Sequence, residues 1–405
     1  MRSVLVAAVV VLSGCGQPPA VTVSPTPTPT ASVALPSPSP APTVTQAPGA
    51  TKSPFPPRDD LAARLHPIAP AGWRPAGPTL ILAQQARLDG TTLVAVPITT
   101  PPATAVPLVD FSRGTYQLRS DAGALAVALQ TAPTSGRIAT WDLQTGATRW
   151  VTPDEEFVVV NGPVWSADGK VIYYGATQMR PAPTFFADLG LYRINADGTG
   201  RTRIHGPDGN GGQPQRLTPD GRGLVWERTQ AGGSAEVLDL ATGGNTTFTK
   251  SEGATSLAWR SARPRALVVT GVCCAGPPGG NGTLHLWDDL AGTERILLDR
   301  NSTPPVAAGS ADWDPTGTKI AVSVYDRSNG FPDTASIEIL DPVSGARRAV
   351  PGTTGASSVR WLQAGIVYST DQRTAELFLV SVDGSTRVSL YKATSPYVVG
   401  DVIGQ

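Results

Sequence analysis

Short segments in which apolar and polar residues alternate follow one another through most of the chain. The stretch from Ser310 to Val350 shows the pattern well, with alternating segments at Ala311–Trp313, Lys319–Val324, Ser336–Leu340 and Arg347–Val350. An Asp-Pro-Thr-Gly turn follows the first segment, and a Ser-Gly turn precedes the last. Alternation with period two between such turns predicts β-strands. A single four-stranded sheet cannot bury both of its faces, so this unit is expected to pack against others like it.

The same unit recurs along the chain at a spacing of about 40–55 residues, which is typical of propeller repeats. We call the large apolar residue at the end of the first strand of each unit its anchor residue. The anchor residues are Leu118, Trp165, Leu217, Trp259, Trp313 and Trp361, with Trp73 one step before the first of them. Seven units made only of strands predict an all-β fold, a seven-bladed β-propeller with four antiparallel strands in each blade.

The two ends of the repeat region predict how the ring closes. The first unit supplies only three strands, whereas the chain ends with the extra apolar segment Tyr397–Ile403. Because a closed ring leaves no open sheet edge, this segment is expected to complete the first blade. The stretch Asp59–Pro70 precedes the first unit and is expected to form one or two helical turns packed on the propeller.

The first residues have the features of a targeting signal. Arg2 precedes an unbroken apolar run, Val4–Leu12, which is too short to span a membrane but fits a signal peptide. The following Leu-Ser-Gly-Cys, ending at Cys15, resembles the bacterial lipobox. This resemblance implies cleavage before Cys15 and attachment of lipid to its thiol. An ordinary signal peptide with an incidental cysteine is the alternative.

The region after Cys15 is rich in Pro, Thr, Ser and Ala and carries no charged residue until Lys52. Such a composition has too little apolar mass to fold and favours extended, disordered chain. We therefore divide the chain into a signal peptide (1–14), a lipidated cysteine with a disordered linker (15–57) and a β-propeller domain (58–405). The expected location is the outer side of a bacterial membrane, where the chain is held by lipid.

Composition and motifs limit the kinds of partner, metal and cofactor that the protein is expected to bind. The 32 basic and 32 acidic residues cancel, so no nucleic-acid partner is expected. Cys273 and Cys274 are adjacent and either form a vicinal disulfide, which we favour outside the membrane, or remain reduced. The three histidines are far apart, and no metal site is expected. The sequence contains neither a phosphate-binding or dinucleotide-binding glycine motif nor a nucleophile elbow, so no cofactor is expected.

Three of the repeats carry a more specific resemblance. WSADGKVIYY, LTPDGRGLVW and WDPTGTKIAV resemble the repeats of TolB-type propellers, which also form the propeller domains of prolyl oligopeptidase relatives. Trp141-Asp142 and Trp287-Asp288 are similar to the ending of WD repeats, but the Gly-His pair of those repeats is absent. The TolB-like resemblance extends from about Trp73 to the end of the chain and implies the fold. The predicted lipid tether departs from TolB, a soluble periplasmic protein, so TolB's partners are not implied.

The connections between strands differ in length on the two ends of the predicted blades. We letter the strands of a blade A to D from the centre outward. The A–B and C–D turns are short, whereas the B–C connections are long and varied. Binding residues concentrate on loops carried by a rigid scaffold. Candidate binding residues on this face are Arg180, Phe185, Phe186, Asp326, Arg327 and Phe331. The alternative is that these side chains only cover blade edges.

The sequence therefore predicts a monomeric, lipid-anchored propeller that acts as a binding or scaffold module. Its partner is expected to be a protein, peptide or glycan of the cell envelope, bound through the B–C face. A lyase or glycan hydrolase with its site in the central channel is the alternative, and no set of catalytic residues is evident from sequence. A purely structural envelope spacer is a third possibility.

Overall fold

The computed structural model describes fourteen stretches of the chain, all within one compact unit, Pro57–Gln405. These stretches are 60–87, 90–112, 114–179, 186–207, 212–228, 235–248, 254–260, 266–270, 282–289, 291–303, 305–326, 335–370, 376–393 and 397–403. The described residues form seven antiparallel sheets. The predicted all-β, seven-bladed β-propeller is confirmed.

The strands occur in blade order along the chain. Blade 1 contains β1 (Leu65–Pro67), β2 (Thr79–Arg87), β3 (Gly90–Pro97), β4 (Val106–Ser112) and β29 (Tyr397–Ile403). Blade 2 contains β5 (Gly114–Leu118), β6 (Ala124–Ala132), β7 (Ser135–Asp142) and β8 (Thr148–Trp150). Blade 3 contains β9 (Val158–Trp165), β10 (Val171–Met179), β11 (Phe186–Asn195) and β12 (Thr202–His205). Blade 4 contains β13 (Gly212–Leu217), β14 (Gly223–Arg228), β15 (Ala235–Asp239) and β16 (Asn245–Thr247). Blade 5 contains β17 (Ala254–Trp259), β18 (Ala266–Thr270), β19 (Thr283–Asp288) and β20 (Thr293–Leu298). Blade 6 contains β21 (Val306–Trp313), β22 (Ile320–Asp326), β23 (Ala335–Leu340) and β24 (Arg347–Ala349). Blade 7 contains β25 (Ser358–Leu362), β26 (Gly365–Ser369), β27 (Glu376–Val380) and β28 (Arg387–Lys392).

The first strands of blades 2 to 7 are the innermost ones. Hydrogen bonds from one first strand to the next run around the inside of the ring, as between Gln117 of β5 and Trp165 of β9. These strands are therefore the A strands, and the B, C and D strands follow outward in sequence order. In blade 1 the same inner place is taken by β29, which pairs with β2.

Each blade is buried on both of its faces. In β6, Leu125, Val127 and Leu129 pack with blade 1, whereas Ala126 and Ala128 on the other face pack with blade 3. A strand covered on two sides needs apolar residues at nearly every position. This requirement explains why the B strands read as almost continuous apolar runs.

The hydrophobic core consists of one cluster at each junction between neighbouring blades. The junction of blades 7 and 1 shows the arrangement, with Leu80 and Val96 of blade 1 packed with Val367 and Leu379 of blade 7. Comparable clusters join the other six pairs of neighbours. Because an apolar cluster fills every junction, the blades stabilise one another around the whole ring.

The ring is closed by the end of the chain, as predicted. Thr79 of β2 pairs with Ile403, and Leu80 pairs with Val402. The last strand thus becomes the A strand of the first blade. Pairing of these sequence-distant segments covers the inner edge that β2 would otherwise expose.

The segment before blade 1 differs from the prediction. A single helical turn is present, in which the Leu65 amide donates to the Leu61 carbonyl at 3.0 Å. This agrees with the prediction of one or two turns, but the chain then forms β1, a strand that was not predicted and that pairs with β4 as a fifth, outermost strand. Proline at 67 lacks an amide hydrogen and is disfavoured within a helix, whereas it is tolerated on an edge strand.

Arg64 fixes this segment to the neighbouring blade. Its guanidinium is buried and donates to the carbonyl oxygens of Gln130 and Thr131, both at 2.9 Å. These carbonyls lie at the end of β6 in blade 2. The fifth strand of blade 1 therefore also bridges to blade 2.

Most anchor residues lie where the repeat pattern placed them. Leu118, Trp165 and Trp313 are buried at the ends of their A strands, whereas Trp259 and Trp361 are half-buried. The assignment of Trp73 is wrong, because this residue lies outside the strands, ahead of β2. The reason is that blade 1 takes its A strand from the end of the chain, so its anchor position falls at Ile403.

The short A–B turns are closed by their own side chains. In blade 3, Ser166 donates to Asp168 at 2.7 Å, and the Lys170 amide donates to the same carboxylate at 3.1 Å. The corresponding turn of blade 6 needs a left-handed residue, and Gly317 supplies it with a φ of 67°. These local bonds make the A–B end of the ring compact.

Candidate functional site

The two ends of the ring are built differently. In an up-and-down blade, the A–B and C–D connections leave one end, and the B–C and D–A connections leave the other. The B–C connection of blade 5 runs from Thr270 to Thr283, and that of blade 6 from Asp326 to Ala335. By contrast, the A–B connection of blade 3 spans only Trp165 to Val171. In blades 3 to 7 the longer connections thus emerge on the B–C face, as the sequence predicted. Blades 1 and 2 differ, because their B–C connections span only Arg87–Gly90 and Ala132–Ser135, and the C–D connection of blade 1 is itself long, from Pro97 to Val106.

The predicted binding residues are only partly within the described stretches. Phe186 begins β11 in blade 3, and Asp326 ends β22 in blade 6, where it is exposed. Both lie at the B–C end of the ring, but two blades separate them. Arg180, Phe185, Arg327 and Phe331 lie outside the described residues, and so do Cys15, Cys273 and Cys274.

Two other expectations concern membranes and metals. Within the stretches that the structure describes, no helix has the length and apolar character needed to cross a membrane. In the same stretches, no three His, Cys, Asp or Glu side chains are grouped as metal ligands would be. Of the histidines, His285 is buried in β19, with its ring edge-on to Phe248 at 5.4 Å.

Side chains on the A strands join neighbouring blades around the channel. The Trp165 amide donates to Gln117 Oε1 at 2.6 Å, linking blades 2 and 3. The Trp361 amide donates to Asp312 Oδ2 at 2.9 Å, linking blades 6 and 7. Gln117 and Asp312 both stand one residue before an anchor residue. Side chains at this position therefore reach along the inner wall to the next blade.

The residues at this position in all seven blades form one layer between neighbouring A strands, and two of them, Val164 and Ala258, are buried in the clusters between blades 3 and 4 and between blades 5 and 6. They are equivalent because each pairs with the corresponding residue of its B strand, as Arg216 with Val225, Asp312 with Ala321 and Arg360 with Val367. We call this set the inner layer. Its members are Gln117, Val164, Arg216, Ala258, Asp312, Arg360 and Val402. The layer thus contains two arginines and one aspartate among neutral residues.

Asp312 is the most constrained member of the inner layer. Its second oxygen accepts from the Trp313 amide at 3.0 Å, so two backbone amides hold the carboxylate. Burial raises the pKa of Asp312, while Arg360, the two amides and Arg216 act to lower it. Arg216 is in blade 4, two blades away from Asp312. Both arginines thus oppose the effect of burial on the pKa of this carboxyl group.

A second, half-buried carboxyl group lies close to this layer. Glu227 of β14 accepts from Gln215 Nε2 at 3.2 Å, and Gln215 directly precedes Arg216. Burial alone raises the pKa of Glu227 to about 7. Its side chain is therefore partly protonated at neutral pH, which is uncommon for a glutamate.

The sequence analysis did not single out the inner layer, although a signal was present. The four polar members stand immediately before anchor residues, in Gln-Leu, Arg-Leu, Asp-Trp and Arg-Trp pairs. Burying a polar side chain at the end of a strand costs free energy unless the side chain forms hydrogen bonds. Aligning the repeats on their anchors and asking which polar residues share a register would have identified these four.

Comparison with solved structures finds propellers, and the similarity is one of fold. A puromycin hydrolase mutant complexed with PGG aligns with a TM-score of 0.54 and 17% identity, over 84% of this chain and 56% of that one. A structure from a study of two prolyl endopeptidases aligns with a TM-score of 0.50 and 16% identity, over 85% and 53%. TolB from Acinetobacter baumannii aligns with a TM-score of 0.42 and 17% identity, over 82% and 66%.

The chain spans between about half and two thirds of the length of these structures. No protein-family model matches the sequence, and no curated protein matches it. The expected relation to TolB-type propellers and the propeller domains of prolyl oligopeptidase relatives is confirmed at the level of the fold, by the seven-bladed ring and its alignment with the prolyl endopeptidase structure.

Proposed function

We propose that this protein is a lipid-anchored, extracytoplasmic β-propeller that binds a protein, peptide or glycan through its B–C face. The observation that carries the proposal is the difference between the two ends of the ring. The A–B end is closed by short turns that satisfy their own polar groups, whereas the B–C end carries the longer and more varied connections in blades 3 to 7. A rigid ring that varies on one face is a common basis for recognition.

The position on a membrane rests on the first fifteen residues. The apolar run Val4–Leu12 followed by Cys15 supports export and lipid attachment. Because the linker from 15 to 57 is rich in proline, it would hold the propeller away from the bilayer as a semi-rigid spacer. A binding module held in this way can sample partners in the surrounding envelope.

The proposal is tested by altering one face at a time. A triple variant, Arg180→Ala, Phe185→Ala and Phe331→Ala, removes candidate contacts from the B–C face. The control is Val343→Asp, because Val343 is 88% exposed on the C–D turn of blade 6. Wild-type protein is immobilised and used to capture material from envelope extracts, alongside both variants. Capture that fails only for the triple variant supports the proposal, and equal capture by all three contradicts it.

An enzyme acting in the channel is the second candidate, and one observation favours it. Two half-buried carboxyl groups, Asp312 of the inner layer and Glu227 beside it, have raised pKa values. A carboxylic acid that stays protonated near neutral pH can act as the general acid of a lyase or glycan hydrolase. In that case Glu227→Gln would abolish turnover of envelope polysaccharide, whereas the exposed Glu156→Gln would not.

A further inference from the structure

Phe157 is an exposed aromatic residue on the B–C face. It lies on the connection from β8 of blade 2 to β9 of blade 3, and its exposed fraction is 46%. Its backbone has a φ of 60°, in the left-handed region that a bulky residue rarely adopts. Glycine or asparagine would occupy this position at lower cost. A strained backbone that carries an exposed aromatic side chain points to a function rather than to stability.

Hydrogen bonds from two blades hold Phe157 in place. Its amide donates to Ser135 Oγ of blade 2 at 3.1 Å, and its carbonyl accepts from the Met179 amide of blade 3 at 2.7 Å. Met179 ends β10, so it directly precedes the B–C connection that contains the candidate binding residues Arg180 and Phe185. The phenyl group is therefore fixed at the base of that connection, and a partner that binds it has little of this loop to order.

The same connection carries negative charge next to the phenyl group. Asp154, Glu155 and Glu156 stand directly before Phe157 in the chain. Arg201 donates to both carboxylate oxygens of Glu155 and so compensates one of these charges. Asp154 and Glu156 are exposed. This part of the B–C face therefore complements a cationic partner.

Elsewhere in the protein, aromatic rings are covered by arginines of the same chain. The Arg387 guanidinium lies 3.7 Å from the centre of the Phe378 ring, and that of Arg137 lies 4.4 Å from the centre of the Trp150 ring. A cation over an aromatic face is attracted by the electrons of the ring. Among the residues that the structure describes, none makes such a contact with Phe157. Its phenyl face is thus available to a cation from another molecule.

We infer that Phe157 binds an arginine or lysine side chain of a partner protein, with the cation over the phenyl group and near the carboxylates of the same connection. The inference rests on the proposed function, because it names the chemistry of the partner at the B–C face. It also accounts for an aromatic residue at a position where glycine would be less strained. A neutral glycan would gain no attraction from the negative charge.

The test measures binding of defined probes to the immobilised full-length chain by surface plasmon resonance. The main probe is an acetylated and amidated peptide of alternating alanine and arginine. The matched probe has citrulline in place of arginine, which keeps the shape of the side chain but removes its charge. We expect the arginine peptide to bind about tenfold more tightly or better, and less tightly as salt rises. Equal binding of the two peptides, or binding of an N-acetylglucosamine oligomer alone, would overturn the inference.

Variants locate the contact. Phe157→Asn removes the phenyl group but tolerates the left-handed backbone, so it should melt close to wild type and bind the arginine peptide about fivefold more weakly or worse. Phe157→Tyr keeps an aromatic face and should bind as wild type does. The matched control is Ile296→Asn, because Ile296 is an apolar residue of similar exposure, 45%, on β20 of blade 5. Equal peptide binding by Phe157→Asn and Ile296→Asn would refute the contact.

A further variant keeps the test decisive if Phe157→Asn does not fold. Asp154→Asn leaves the phenyl group and the backbone in place and removes one exposed charge, so it should weaken binding of the arginine peptide but not of the citrulline peptide. Unchanged binding of both peptides would refute the inference. The triple variant in the capture experiment keeps Phe157, so the two tests are separable. Capture that fails for the triple variant, together with wild-type peptide binding by Phe157→Asn, refutes this inference and leaves the proposed function standing.

Discussion

Leu80 of β2 and Val402 of β29 are paired in an antiparallel ladder, although they lie near opposite ends of the described chain. This pairing makes the last strand of the protein the innermost strand of the first blade. Leu80 is completely buried, and it belongs both to the hydrophobic cluster that joins blades 7 and 1 and to the strand pair that closes the ring. The junction of blades 7 and 1 therefore depends on the strand Tyr397–Ile403.

Removal of residues 397–405 should lower the melting temperature sharply and promote association. The deletion exposes the inner edge of β2 and opens the apolar cluster between blades 7 and 1, which favours edge-to-edge pairing between molecules. Differential scanning calorimetry and light scattering would show both effects. Deletion of residues 404–405 alone leaves β29 intact and serves as the control. A monomeric protein with unchanged melting after the longer deletion would contradict closure by β29.

Trp313→Ala should destabilise the fold by about 3–5 kcal/mol, as other truncations of large buried side chains do. The indole is buried between blades 5 and 6, and the Arg260 guanidinium lies over it at 4.0 Å from the ring centre. Arg260→Ala keeps the indole and should cost only about 1 kcal/mol. Urea unfolding of both variants gives the comparison. A loss for Trp313→Ala no larger than that for Arg260→Ala would mean that this anchor is not a core residue.

Asp312→Ala should open the contact between the A strands of blades 6 and 7. The substitution leaves two buried amides, those of Trp361 and Trp313, without their acceptor, at about 1–3 kcal/mol for each. Asp312→Asn keeps one oxygen and should lose less. Amide hydrogen exchange at Trp361 reports the broken bond directly. If the alanine variant exchanged at the wild-type rate, the carboxylate would have no role in joining these blades.

The fold could be predicted because the repeat is local, and aligning the repeats would also have identified the polar members of the inner layer, but not the contacts that their side chains make. Trp165 and Trp313 end a strand and precede a tight turn, and this pattern is visible without knowing how the blades are arranged. Trp73 was misassigned because only the closed ring shows that the A strand of the first blade is the last strand of the chain. The hydrogen bond from the Trp361 amide to Asp312 depends on how neighbouring blades pack, which brings residues of separate repeats together. No spacing along the sequence encodes that distance.

Cys15→Ala should prevent lipid attachment and shift the protein from the membrane fraction to the soluble fraction, or leave an uncleaved precursor. The thiol of Cys15 is the group that the lipobox resemblance assigns to the lipid. Metabolic labelling with a fatty-acid analogue, followed by fractionation, measures both results. Cys273→Ala is the matched control because it removes a thiol outside the leader. Labelling of the Cys15 variant at the wild-type level would refute the lipobox assignment.

Glu227→Gln should change how stability depends on pH. The carboxyl pKa is about 7 in the folded protein, because burial disfavours the charged form, and 4.5 is its ordinary value. Between pH 4.5 and 7 the folded protein retains a proton that the unfolded chain releases, so rising pH favours unfolding. The stability lost across this window is at most about 3 kcal/mol, and it stays lost above pH 7.

Glutamine cannot ionise and still offers an oxygen to Gln215, so the stability of the variant should not fall with rising pH in this window. We expect Glu227→Gln to match wild type near pH 4.5 and to exceed its stability at pH 8. Urea unfolding at pH 5, 6, 7 and 8 measures the difference, and the exposed Glu156→Gln controls for the loss of one negative charge. Parallel pH profiles for wild type and Glu227→Gln would show that Glu227 ionises in the folded protein as it does in the unfolded chain. In that case the carboxyl group could not act as a proton donor beside the channel at neutral pH.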